Sequence, residues 1–215
     1  MRLRKVKNAR ERLQVDNNPY YIEDAKVFKG KWKDVFHNDN PIHIEIGCGK
    51  GQFMIELAKR NPNINYIALE KYDSVLLRAL EKAILEDIPN LKLAVLDASI
   101  IKEYFSSKEV NRIYLNFSDP WPKNHHKKRR LTHEDFLNQY KEILADYGQI
   151  EQKTDNRHLF EFSLESFNHN GWYLEDICLD LHNELEKYPD NITTEFEDKW
   201  SKLGPIYRLV AKKKR

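Results

Sequence analysis

From about residue 42 onward the chain alternates short apolar runs with stretches whose apolar residues recur every three or four positions. Ile42–Ile46 reads as a strand that ends at a glycine-rich turn, and Gln52–Arg60 follows with Phe53, Met54, Leu57 and Ala58 at helical spacing. Tyr66–Leu69 is the next strand. Asp73 is placed to cap a helix whose apolar face is Leu76, Leu77, Leu80, Ala83 and Ile84. Leu91–Leu96 and Arg112–Phe117 continue the strand series, and 118–130 is a loop rich in proline and charge. Thr132-His-Glu-Asp135 has the form of a capping box, opening a helix faced by Phe136, Leu137, Tyr140, Ile143 and Leu144. Strand Gln149–Lys153, helix Arg157–Phe167 closed by Gly171, and strand Trp172–Leu179 come next. An irregular stretch with a short helix leads to a last strand, Ile206–Ala211. This rhythm predicts an α/β fold with a mostly parallel seven-stranded sheet and helices on both faces. Residues 1–41 lack it and read as a basic N-terminal arm on a single domain spanning 42–215.

Charge changes the picture more than composition does. The 215 residues hold 36 Lys+Arg against 34 Asp+Glu, a net charge of only +2. Residues 1–12, 123–130 and 212–215 together carry +14, so the rest of the chain carries −12. Basic clusters on an acidic body suit a surface that meets a polyanion, although basic ends alone also serve as solubilising tails. No run approaches the length of a membrane span, and the basic start lacks the apolar core of a secretory signal. Cys48 and Cys178 are too few for a disulfide framework or a zinc site. A cytoplasmic, reduced protein is expected.

The first turn reads Glu45-Ile-Gly47-Cys-Gly49-Lys-Gly51, between a strand and a helix. Glycines there permit a tight turn and a close approach of backbone to ligand. A dinucleotide fingerprint requires glycine at 52, where Gln52 stands, which disfavours a nicotinamide dehydrogenase. The G-x-G-x-G spacing resembles the first motif of class I S-adenosylmethionine-dependent methyltransferases. Glu45, Glu70 and Asp97 lie at or near the ends of the first three strands, where open α/β sheets bind ligands. From these positions Glu70 could accept both ribose hydroxyls, Asp97 the adenine amino group, and Glu45 could pair with the methionine ammonium.

Beyond the fourth strand, Ser118-Asp119-Pro120-Trp121-Pro122-Lys123 places Asp119 on a loop stiffened by two prolines. Trp121 offers a π-face to a base or to a neighbouring helix. His125-His126-Lys127-Lys128-Arg129-Arg130 follows at once, a run able to neutralise several phosphates. Adjacent histidines rarely chelate together, and no acid or thiol accompanies them, so no metal site is expected.

Five segments taken together carry a more specific resemblance: Glu45–Gly51, Asn116-Phe-Ser-Asp-Pro-Trp-Pro-Lys123, Arg129-Arg130-Leu131, Gln152-Lys-Thr-Asp-Asn156 and Thr194-Glu-Phe-Glu197. In this order they resemble the signature set of the bacterial tRNA (guanine-N7-)-methyltransferase family. The resemblance implies methyl transfer from S-adenosylmethionine to N7 of the guanosine at position 46 in the tRNA variable loop. It implies a cofactor pocket served by Glu45, Gly47, Gly49, Gly51, Glu70, Asp97 and Asp119, with Asp119 also at the reacting centre. Lys123, Asp155, Thr194 and Glu197 would hold the substrate guanosine, and His125 to Arg130 would contact RNA.

The chemistry suits these residues. Guanine N7 has an in-plane lone pair and no proton at neutral pH, so no general base is obligatory. Alignment and a fixed carboxylate such as Asp119 would suffice. Asp155 or Glu197 could accept from guanine N1–H and N2–H, and Lys123 could donate to O6 or bind a phosphate. Asp155 could instead cap the helix that begins near Asn156. An adenine-N6 enzyme is disfavoured by the order Asp119-Pro-Trp-Pro122, and a small-molecule methyltransferase by the basic loop. A non-catalytic RNA-binding protein is disfavoured by the intact acids. Monomer and homodimer both stay open.

Overall fold

The computed structural model describes residues 5–14 and 18–213. Among these residues seven strands form the sheet, and the chain divides into a compact unit ending at Ser106 and another beginning at Ser107. No helix among the described residues is long and apolar enough to cross a membrane.

The first unit is built on three parallel strands. β1 (Ile42–Ile46) pairs with β2 (Asn65–Glu70), placing Ile42 beside Asn65 and Ile46 beside Leu69. On the other edge of β2, Tyr66 lies beside Leu91 and Glu70 beside Val95 of β3 (Leu91–Val95). Every residue of β1 and β2 is buried, polar His43, Glu45, Asn65 and Glu70 included, as parallel strands covered on both faces require. The connecting helices are α3 (Gln52–Arg60) and α4 (Asp73–Ile84). The apolar face of α4 is as expected except for Ile84, which is 54% exposed at the helix end. Asp73 does not cap α4. Tyr72 occupies the cap position without a side-chain bond, and its N–H donates to the Glu70 carboxylate at 3.1 Å. Asp73 sits in the first turn, where its charge faces the positive end of the helix dipole.

Described residues from the stretch expected as an arm pack into this unit. Tyr21 bridges Leu93 in parallel, with Ile22 N–H donating to Leu93 O and Leu93 N–H to Tyr20 O, both at 2.8 Å. α1 (Ala9–Leu13) buries Ala9 and Leu13, and Val6 N–H donates to Ser74 Oγ at 3.0 Å. α2 (Trp32–Phe36) buries Trp32 completely. Its indole stacks on Phe105 at 5.5 Å and donates to Tyr104 O at 2.9 Å. Pieces of five residues are too short to show a helical period, so composition alone suggested an arm.

In the second unit β4 (Val110–Asn116) pairs in parallel with β5 (Leu144–Thr154), Asn116 beside Lys153. β7 (Tyr207–Lys213) lies between β5 and β6 (Trp172–Cys178) and is antiparallel to both. α5 (Glu134–Ile143) and α6 (Arg157–His169) are the long helices, and Gly171 at φ +70° follows α6. The expected capping box is not formed. His133 is the N-cap, its Nδ1 accepting from Asp135 N–H at 3.3 Å. The Thr132 hydroxyl is hydrogen-bonded with Ser163 Oγ at 2.8 Å instead. Leu144, expected on the face of this helix, begins β5.

Candidate active site

Beyond β1 the chain turns through Gly47, Gly49 and Gly51, all at positive φ (83°, 58° and 82°). The amides of Gly47 and Cys48 both donate to Leu69 O, at 2.8 and 3.0 Å, pinning the turn to the end of β2. The three glycines serve different ends. A Cβ at Gly47 or Gly49 would meet nothing within 4 Å, so the turn presents open backbone that a ligand can approach. A Cβ at Gly51 would stand 2.8 Å from Ala79 Cβ; the third glycine lets α3 approach α4. Gly51→Ala combines a disallowed contact with a strained φ and is expected to lower stability by about 1–3 kcal/mol. Urea unfolding checks this, and a midpoint equal to that of the parent would refute it.

Three acids lie at or near the carboxyl ends of β1, β2 and β3. Glu45 is buried on β1. Glu70 closes β2 and reaches across, Oε2 accepting from Gly49 N–H at 3.2 Å while Oε1 accepts from Lys71 and Tyr72 N–H at 2.8 and 3.1 Å. Asp97 follows β3, with Oδ2 2.7 Å from Lys71 Nζ and Oδ1 accepting from Ser99 N–H and Oγ–H at 3.0 and 2.8 Å. A cavity of about 370 Å³ opens beside it, lined among others by Arg10, Tyr21, Lys71 and Tyr104.

The Lys71 ammonium, then the Ser99 donors, hold the Asp97 carboxyl at a pKa of about 2, against an ordinary 3.8. A depressed folded-state value stabilises the fold above pH 4, and that contribution is lost as pH falls from about 4 towards 2. Lys71→Met is expected to move the Asp97 titration up towards 3.8. Carboxyl-carbon NMR measures it, and an unmoved midpoint would show that Lys71 is not the cause.

In the second unit β4 leads into the loop that carries Asp119. Phe117 (φ +50°) and Trp121 (φ +41°) are both left-handed and neither is glycine. Such residues cost roughly 1–3 kcal/mol each and persist only where their surroundings hold them. Phe117 N–H donates to Lys153 O at 2.8 Å. Arg130 supplies the other hold. Its Nε donates to Pro120 O and its Nη2 to Trp121 O, each at 3.0 Å, and its guanidinium lies 4.4 Å from the Phe162 ring centroid. Arg130, expected as an RNA contact from the basic run, is buried and braces the loop. Asp119 is exposed on this braced segment.

The rest of the basic run forms a 3-10 turn, Asn124–Arg129. Lys123, His125, Lys127, Lys128 and Arg129 are exposed. Arg129 covers the Trp121 ring at 4.8 Å, and His126 meets the same ring edge-on at 5.6 Å. Desolvation, His125 and Arg129 push the His126 pKa down, so at pH 7 it adds little positive charge. Among the described residues, the group able to face a cation together is His133, Glu134 and Asp135, where His133 Nδ1 already caps α5.

The residues expected to hold guanosine separate into two kinds. Asp155 is exposed just after β5, and the cap of α6 is Asn156, whose Oδ1 accepts from Leu159 N–H at 2.9 Å. Thr194 and Glu197 point inward. Thr194 Oγ1 caps α7 (Glu195–Trp200), accepting from Glu197 N–H at 3.0 Å. Glu197 is fully buried. Its Oε2 lies 2.6 Å from Lys153 Nζ, and its Oε1 is hydrogen-bonded with His182 Nε2 at 3.0 Å and Asn191 Nδ2 at 3.1 Å. Lys153 donates further to Ile192 O at 2.7 Å. Glu197, expected to read guanine, thus has both oxygens engaged within the fold. Lys153, His182 and Asn191 were given no role from the sequence, though a lysine near the end of an inner strand was a usable signal.

A family model described as "Putative methyltransferase" matches residues 39–209. The tRNA (guanine-N(7)-)-methyltransferase of Lachnoclostridium phytofermentans is 53% identical over 212 residues, covering 98% of each chain. The enzyme of the same description from Listeria monocytogenes serotype 4a is 52% identical over 213 residues, covering 99% of this chain and 98% of its own. The chain belongs to the tRNA (guanine-N7-)-methyltransferase family. Among solved structures, the 16S rRNA methyltransferase KamB is similar with a TM-score of 0.66 at 13% identity, covering 86% of this chain and 94% of that one. An antibiotic-related methyltransferase is similar at 0.65 and 16%, covering 91% and 98%. At such identities the likeness concerns the fold, and it bears out the Rossmann-like methyltransferase architecture expected for this family member. The glycine turn and the Asp119 loop both fall within the 39–209 match.

Proposed function

We propose that this chain transfers the methyl group of S-adenosylmethionine to N7 of guanosine 46 in the variable loop of tRNA. The observation that carries the reading is the near-full-length likeness, at 52–53% identity, to proteins described as tRNA (guanine-N(7)-)-methyltransferases. The geometry supports it. The open backbone at Gly47 and Gly49 leaves room for a cofactor, with Glu45 and Glu70 beside it. Glu45 would hold the methionine ammonium and Glu70 the ribose hydroxyls. Asp97 uses three of its roughly four acceptor positions on Lys71 and Ser99, leaving one on Oδ2 for the adenine amino group. The cofactor, when bound, supplies an electrophilic methyl on a sulfonium centre.

The chain's own task is positional and electrostatic. Guanine N7 carries a lone pair and no proton, so no residue must act as a base. Asp119, on a loop held by Arg130 and by the Phe117 N–H bond to Lys153 O, offers a carboxylate that need not reorganise as positive charge moves onto the imidazole ring. Asp155 is the exposed carboxylate suited to guanine N1–H and N2–H, and Lys123 the exposed cation suited to O6 or a phosphate. Lys127, Lys128 and Arg129 provide sequence-independent phosphate affinity. The basic side chains of residues 1–41 would add an auxiliary contact to tRNA.

The test is direct. The protein is incubated with unmodified tRNA and labelled S-adenosylmethionine, and the RNA is digested to nucleosides. Label is expected in 7-methylguanosine, and none when guanosine 46 is replaced by adenosine. Label in an adenosine product, or no transfer, would overturn the reading.

A further inference from the structure

Thr194 and Glu197 are occupied inside the fold, yet the helix they anchor turns two large rings outward. Phe196 is 41% exposed and Trp200 36%. Four residues apart, they share one face of α7, with ring centroids 5.6 Å apart and planes at 28°. Phe196 also packs on Phe117, at 4.9 Å and 38°. The three rings make a ladder that starts two residues before Asp119. The Lys199 ammonium lies 5.0 Å from the Trp200 ring centroid.

We propose that Phe196 and Trp200 form a stacking platform for one unpaired base of the RNA substrate, an inference that rests on the tRNA reading above. The ladder is preorganised at Phe117 and at Phe196. Phe117 is held in a strained backbone conformation, and Glu197, beside Phe196, is tied to Lys153, His182 and Asn191. Stacked rings that stay half exposed forgo part of their burial and offer a π-face that any base can use. The ring pair offers stacking rather than neutralisation of a phosphate. A guanosine whose N7 is to react must leave its tertiary pairing, and stacking on this ladder offsets the lost stacking in the tRNA.

The experiment measures affinity of the full-length protein for unmodified tRNA by filter binding at several salt concentrations. Trp200→Ala is expected to weaken binding by about five- to a hundred-fold, the usual effect of removing one base–aromatic stack. The slope of log Kd against log salt should not change, because no phosphate contact is lost. Trp200→Phe should recover most of the affinity, and the calorimetric affinity for S-adenosylhomocysteine and the melting temperature should match the parent. Parental tRNA affinity in Trp200→Ala overturns the platform, as does a reduced salt slope or a Phe variant as weak as Ala. A parent protein that methylates tRNA beside an unaffected Ala variant sinks the platform alone. A parent that neither binds nor methylates tRNA takes both readings down.

Discussion

Glu197→Ala is expected to destabilise the second unit by about 3–5 kcal/mol, the cost of stranding a buried charge. Lys153 and Glu197 have side chains 1% and 0% exposed, respectively. Removing the carboxylate leaves the Lys153 ammonium in the interior, still served by Ile192 O and Asn191 Oδ1 but without its counter-charge. It also removes the acceptor that orders Asn191 Nδ2 and His182. Urea unfolding followed by circular dichroism reads the loss. Replacing both partners with apolar residues, Lys153→Met with Glu197→Leu, should return much of the stability, because neither charge then needs solvation. A loss below about 1 kcal/mol, the range of exposed ion pairs, would mean that water reaches the site.

Asp119→Asn is expected to lower the single-turnover methylation rate by about 10²–10³-fold at saturating cofactor and tRNA, the scale for removing one preorganised electrostatic group. The amide keeps the shape of the carboxylate and discards its charge, so fold and tRNA affinity should hold. The rate of the parent should be flat from pH 6 to 9, as N7 needs no deprotonation. If the variant loses only cofactor affinity and keeps its rate at saturation, Asp119 is a binding group and its electrostatic role is wrong. The bracing by Arg130 matters here, since a carboxylate on a mobile loop would reorganise like solvent and contribute less.

Much of the fold was legible because it rests on local pattern. β1 and α3 run from Ile42 to Ile46 and from Gln52 to Arg60 as the periodicity indicates, and Gly171 follows the end of α6 as its φ requires. Caps were less legible. Thr132 has the chemistry of an N-cap, but Ser163, 31 residues away, claims its hydroxyl, and His133 caps α5 in its place. Asp73 likewise sits one residue inside α4.

The site divides along the same line. The order of turn, acids, proline loop and basic run could be read from residue types, because tight turns, stiffened loops and clustered charge are properties of neighbours in the chain. Which group faces solvent could not. Arg129 and Arg130 are adjacent and chemically alike, yet one lies exposed over Trp121 while the other is buried beneath the loop. Nothing near Glu197 in the sequence announces that Lys153, 44 residues earlier, lies 2.6 Å from it. A side chain's solvation depends on partners that only folding brings together, and its solvation decides whether a charge binds substrate or holds the protein in shape.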